Sequence, residues 1–193
     1  MRKLGCLVGF VLLVAASAAA QQKTPQVELF GGYKLERFNP GGGFTGGNLN
    51  GWTGALTGNV NSWFGVTAEI TGVYGKQNFG GTTGVDSDHH TVMFGPKFTY
   101  RDKEKWAPFA HTLFGFGRIN GAHLGTTFGD EVGDTGFNWA TGGGIDFVAS
   151  PRISIRLVQI DVLYSRYDRP LGTQTSQTSL RLAWGINFRF GER

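Results

Sequence analysis

The sequence predicts an all-β protein, a closed antiparallel transmembrane up-and-down β-barrel of eight strands. Three observations carry this expectation. Glycine is abundant, with 32 in 193 residues, and charge is sparse at 17%. Eight segments alternate apolar and polar residues with period two, the spacing of a strand with two unlike faces. The connections between them alternate short and long, as they do in barrels that cross a membrane with tilted strands.

The segments are justified in order. Residues 26–37 place Val27, Leu29, Tyr33 and Leu35 on one face. Residues 49–60 carry Trp52, Leu56 and Val60, and residues 64–75 carry Val66, Ala68, Ile70 and Tyr74. Residues 90–101 carry Val92, Phe94, Phe98 and Tyr100, with Pro96 set to break one ladder bond. Residues 107–118 are the least clear. We expect His111 to face inward there and Phe114 and Phe116 outward. Residues 137–148 carry Trp139, Ile145 and Phe147. In residues 153–167, Arg156 is out of phase with Gln159 and Asp161. One β-bulge near Leu157-Val158 brings all three to the same face. The last segment is the cleanest: Leu180, Leu182, Trp184, Ile186, Phe188 and Phe190 alternate with Ser179, Arg181, Ala183, Gly185, Asn187 and Arg189. Short connections fall at 61–63, 101–106 and 149–152. Longer ones, rich in Gly, Thr, Asn and Asp, fall at about 38–48, 76–89, 119–136 and 168–177.

Charge decides which face is wet. Glu28, Lys34, Glu69, Lys97, Asp146, Arg156, Asp161 and Arg181 lie on polar faces near the middle of their segments. Facing lipid, a charge costs on the order of 2–4 kcal/mol at mid-membrane. Facing a narrow lumen, four acids and four bases can pair, and pairing removes the penalty of an isolated buried charge. A soluble sandwich or lipocalin-like barrel would instead turn its apolar face inward. The aromatic residues argue against that. Trp63, Tyr100, Trp106 and Phe190 fall near the short-turn end, and Trp52, Tyr74, Trp139 and Tyr164 nearer the other. Two such girdles suit two membrane interfaces.

The first twenty residues form a secretory signal peptide, with Arg2 and Lys3 before the apolar run Leu4 to Val14. Ala18 and Ala20 supply a cleavage site before Gln21. The barrel domain is then 21–193. Cys6 leaves with the leader, so no disulfide is expected, and the formal charge of +4 falls to +2. So mild a charge, without a basic run interleaved with aromatics, points away from nucleic acid.

Candidate chemistry is thin, and neither a cofactor nor a catalytic or metal residue is expected. His89-His90 with Asp86 and Asp88 is a histidine–acid stretch read as a solvated loop. Ser87 beside them is the one local arrangement with the groups of a hydrolase, in a loop without rigid support. His111 and His123 have no evident nucleophile beside them, and Asp130-Glu131 reads as solvated. Gly142-Gly143-Gly144 reads as small residues where a side chain crosses the lumen.

Several stretches resemble the small OmpA/OmpX-like outer membrane β-barrel family: "FGPKFTY" (94–100), "PFAHTLFG" (108–115), "GGGIDF" (142–147), "RLVQIDVLYSR" (156–166) and "LRLAWGINFRF" (180–190). The last is similar to the signal read by the barrel assembly machinery, matched here at Gly185, Phe188 and Phe190, with Ala183 at the usual polar position. The resemblance implies a monomer in the cell outer membrane with a structural or surface-interaction role. It implies contact with outer membrane lipids and lipopolysaccharide through long external loops, and with the assembly machinery during insertion. The alternatives are a narrow pore for small solutes and a lipid A-modifying barrel enzyme.

Overall fold

In a computed structural model, residues 24–38, 47–79, 82–102, 105–121, 132–168 and 174–192 are described. The expected leader, His123, Asp130 and Glu131 lie outside them. Eight strands follow one another: β1 (Pro25–Phe38), β2 (Gly47–Asn59), β3 (Phe64–Phe79), β4 (Thr82–Thr99), β5 (Trp106–Gly121), β6 (Val132–Ser150), β7 (Ile153–Asp168) and β8 (Gln174–Glu192). Each pairs antiparallel with the next, and β1 pairs with β8, so the sheet closes. Closure leaves no strand edge unpaired.

The alternation becomes an inside and an outside. Arg181 is wholly buried, while its neighbours on the other face, Trp184 and Ile186, are 43% and 47% exposed. The same division runs around the barrel, with Leu29, Ile70, Phe94, Phe116 and Ile160 outward and Glu28, Glu69, Lys97, His111 and Asp161 inward. Strand β5 was hard to read because Phe109 and Leu113 are apolar yet face inward, opposite Phe114 and Phe116.

Two irregularities take definite forms. In β7, Arg156 pairs with Gly185 and Gln159 with Ala183, so one residue is extra between them. Leu157 and Val158 both point outward there, and Arg156, Gln159 and Asp161 all point inward. At Pro96 the β4–β5 ladder skips two positions but stays in step, from Phe94↔Phe114 to Lys97↔His111.

The connections expected to be long need correction. Strand β4 begins at Thr82, so most of the 76–89 stretch is strand, and β5, β6 and β8 likewise extend into residues assigned to connections. Composition hid this, because Gly and Thr look like loop when cross-strand pairing, not propensity, holds the backbone extended. The intervals between strands at this end are 39–46, 80–81, 122–131 and 169–173.

Candidate functional site

The barrel interior is where chemistry-bearing side chains converge. Each reaches it because strand alternation turns every second residue inward. Near the short-turn end, Glu28 of β1 accepts from Lys97 Nζ at 2.9 Å and from Arg101 Nη2 at 2.7 Å. Asp146 of β6 takes a two-pronged contact from Arg156, with Nε at 2.8 Å from Oδ1 and Nη2 at 3.2 Å from Oδ2. The Arg156 guanidinium also lies over two rings, 4.0 Å from the centre of Phe30 and 4.3 Å from Phe109. Such contacts recover in a dry interior part of what hydration supplied outside.

Halfway up, Lys34 of β1 donates to Glu69 of β3 at 2.5 Å and lies 4.0 Å from Asp161 of β7. His111 Nε2 lies 2.8 Å from the other Asp161 oxygen. Gln159 joins the two levels: its amide donates to Asp161 at 2.7 Å, and its carbonyl accepts from Arg156 at 2.7 Å. The bulge is what makes this possible. Without the extra residue, Arg156 would point outward and the link would be cut. Two glycines make room, since a Cβ on Gly142 would sit 2.4 Å from Asp161 Oδ1 and one on Gly144 would sit 2.9 Å from the Phe109 ring.

The network joined through Gln159 holds Glu69, Asp146 and Asp161 against Lys34 and Arg156, with His111 beside Asp161. Glu28, Lys97 and Arg101 form a separate triad of one acid and two bases, and the two groups taken together carry four acids and four bases. Arg181 belongs to neither. Its Nε donates to Glu36 Oε2 at 2.8 Å, and Glu36 Oε1 lies 3.0 Å from His89 Nδ1, a separate group nearer the other end. The interior is also less polar than a charge-lined lumen. Leu49, Val73 and Ile119 form one buried apolar cluster, and Met93, Leu113, Ala140 and Leu163 another.

Of the eight lumen residues named from the sequence, Lys34, Glu69, Asp146, Arg156 and Asp161 fall in the joined network, Glu28 and Lys97 in the triad with Arg101, and Arg181 in the group with Glu36. Two further charged groups went unnamed, Glu36 and Arg101; Gln159 is expected on the inner face but not as a link, and His89 is expected in a loop. Glu36 shares its parity with Glu28 and Lys34, so alternation alone could have found it. Arg101 lies past the end of β4 and reaches back on a long side chain, which alternation does not encode.

The histidine–acid stretch also needs correction. It is strand, not loop, and its residues face opposite ways. Ser87 and His89 are buried inside. His90 is turned outward against the edge of the Tyr74 ring at 5.4 Å, and its Nε2 lies 3.9 Å from Asp88 Oδ1. Ser87 and His89 on the inner face therefore cannot converge with Asp86, Asp88 and His90 on the outer one. Among the described residues, no group of three or more His, Cys, Asp or Glu side chains is placed to hold a metal ion.

The aromatic residues singled out earlier lie on the outer face. Trp52, Tyr74, Tyr100, Trp106, Trp139 and Tyr164 all point outward. Trp63, in the β2–β3 turn, stacks on Phe98 at 5.9 Å. Phe188 and Phe190 point outward on β8. Gly185 faces inward at the β1–β8 seam, where a Cβ would lie 2.3 Å from the Gly31 carbonyl oxygen.

The model of a family described as outer membrane protein beta-barrel domain matches residues 6–188. No curated protein sequence matches significantly. Among solved structures, neisserial surface protein A is similar with a TM-score of 0.69 at 9% identity, over 88% of this chain and 100% of that one. Ail, the attachment invasion locus protein of Yersinia pestis, gives 0.57 at 19% identity over 86% and 99%. Outer membrane protein W of E. coli gives 0.52 at 14% over 88% and 100%. At these identities the likeness is one of fold. The family match spans most of the sequence, and the chain belongs to the outer membrane β-barrel family.

Proposed function

We propose that this outer membrane barrel is a non-conducting, non-enzymatic scaffold that presents its strand ends and connections at the cell surface. The single observation behind this reading is the Gln159 link. It joins ion pairs from five strands into one set across the lumen, and Phe30 and Phe109 clasp Arg156 within it. A path for ions would have to part these pairs, and an unpaired buried charge costs about 3–5 kcal/mol. In this reading residues 1–20 direct export, and the Gly185, Phe188 and Phe190 pattern serves insertion by the assembly machinery. The mature chain works as a monomer among outer membrane lipids and lipopolysaccharide.

Planar-bilayer recording of the purified, refolded barrel tests it. The expected result is a baseline without steady openings, and sustained unitary currents would establish the narrow pore instead. Mass spectrometry of lipid A with and without expression should give identical acyl patterns; a changed pattern would make the protein an enzyme.

A further inference from the structure

Seven of the eight strand pairings join consecutive strands, and the eighth joins the two ends of the barrel sequence, β1 and β8. Residues so far apart along the chain are the costliest to bring together. The joined network steps over this seam. Among the described residues it takes side chains from β1, β3, β5, β6 and β7 and none from β8. Yet β8 stands between β7 and β1, so two of the network's contacts cross it. Asp161 of β7 lies 4.0 Å from Lys34 of β1, and the Arg156 guanidinium of β7 lies 4.0 Å from the centre of the Phe30 ring of β1. Neither spacing is fixed until β8 has paired with β1.

Glycines line the crossing. Arg156 stands opposite Gly185 in the β7–β8 ladder, and Gly185 stands opposite Gly32 in the β8–β1 ladder. All three face inward by strand parity, so the row from Arg156 to β1 carries no intervening side chain. The Phe30 ring folds back over this row: a Cβ on Gly32 would sit 2.6 Å from its Cζ. A Cβ on Gly185 would sit 2.5 Å from Gly32 Cα, so a side chain there would push the two strands apart. The bulge at Leu157-Val158 is what turns Arg156 inward. Three local features therefore meet at one place on the seam: the extra residue in β7, the facing glycines of β8 and β1, and the ring of Phe30. A cation over a ring gains most where water is excluded.

We infer that Arg156 and Phe30, meeting across Gly185 and Gly32, form a latch that holds the barrel closed, seconded by Asp161 and Lys34. Gly185 then acts in closure itself, apart from any part in recognition by the assembly machinery. The latch stands whether or not the barrel conducts. Without it, an open eight-stranded sheet becomes populated. The test is urea titration of the mature chain, residues 21–193, in dodecylphosphocholine micelles, where no assembly machinery is present. Strand content by circular dichroism reports the sheet, and heat-modifiable gel migration reports the closed barrel. Wild type should lose both at one midpoint, as two-state unfolding requires. In Phe30→Leu and in Gly185→Ala the closed form should be lost before the strands, with midpoints about 0.5 M apart or more. Phe188→Leu with Phe190→Leu alters the other two positions of the assembly pattern. Gly115→Ala crowds a hairpin away from the seam, where a Cβ would sit 2.7 Å from Met93 Cα. In both of these controls the two midpoints should stay together, wherever they move. Coincident midpoints in Phe30→Leu overturn the latch, whether or not Gly185→Ala folds. Separated midpoints in wild type or in Gly115→Ala overturn it as well, because the sheet would then open without injury to the seam. Separation in Phe30→Leu beside coincidence in a folded Gly185→Ala overturns the part given to Gly185.

Discussion

Charge is buried at two levels of the lumen with different completeness. Near the short-turn end and halfway up, the charged side chains of the Glu28 triad and of the joined network all have partners on neighbouring or facing strands. Nearer the other end, Glu36 is held on both oxygens, but Nη1 and Nη2 of Arg181 have no hydrogen-bond partner among the described residues. The hydroxyls of Ser87, Thr91 and Ser179 and the amide nitrogen of Gln177 are likewise without partners. The two apolar clusters supply neighbours that cannot hydrogen-bond. Neutrality is thus common to both levels, but satisfaction of the charged groups belongs to one; near the short-turn end the neutral Asn187 Oδ1 also lacks a partner among the described residues. A neutral pair still leaves a five-donor guanidinium short of acceptors when its other neighbours are aliphatic.

The comparison breaks most visibly in the joined network. Asp161→Leu abandons Lys34, His111 and Gln159 together, and Arg156→Leu abandons Asp146 between two rings. Each should cost about 3–5 kcal/mol, read as a lower urea midpoint in detergent. An unmoved midpoint would show that the network does not hold the barrel. Next comes the outer wall. Ile160→Arg sets a charge on the lipid side between Gln159 and Asp161, and should cost about 2–4 kcal/mol in bilayers. A much smaller loss in detergent than in lipid vesicles would locate the effect in the membrane.

The upper level should respond differently. Replacing both partners, as Glu36→Leu with Arg181→Met, removes the orphaned donors along with the pair. Stability should change by less than about 1 kcal/mol or rise. Asp146→Leu with Arg156→Met, the matching replacement below, should be costlier because it also empties the cation site between Phe30 and Phe109. Similar losses for the two pairs would erase the distinction drawn here. The smallest effect is expected at the outer seam, where Tyr33 and Trp184 meet at 5.3 Å across β1 and β8. Trp184→Leu should cost about 0.5–1 kcal/mol, measurable in the same titration.

Legibility followed the period of two. Strand β8 could be oriented from its own residues because its apolar and polar sets do not mix. The bulge was readable too, since Arg156 and Asp161 could share the lumen only if one residue were extra. Strand β5 resisted because large apolar residues stand on both faces, some in lipid and some packed inside. The β4 segment from Asp86 to His90 was misread because nothing local distinguishes a polar strand from a polar loop. Only its pairing with β3 and β5 makes it strand.

By itself the sequence determined the class of the protein, the facing of its clean strands and the balance of signs in its lumen. These follow from alternation, and alternation is a property of neighbours along the chain. The tertiary structure alone decided who pairs with whom. Arg181 meets Glu36, 145 positions away, while Asp161 joins Lys34 and His111. Partners across a lumen are set by the closure and stagger of tilted strands, a geometry that exists only once β1 has met β8.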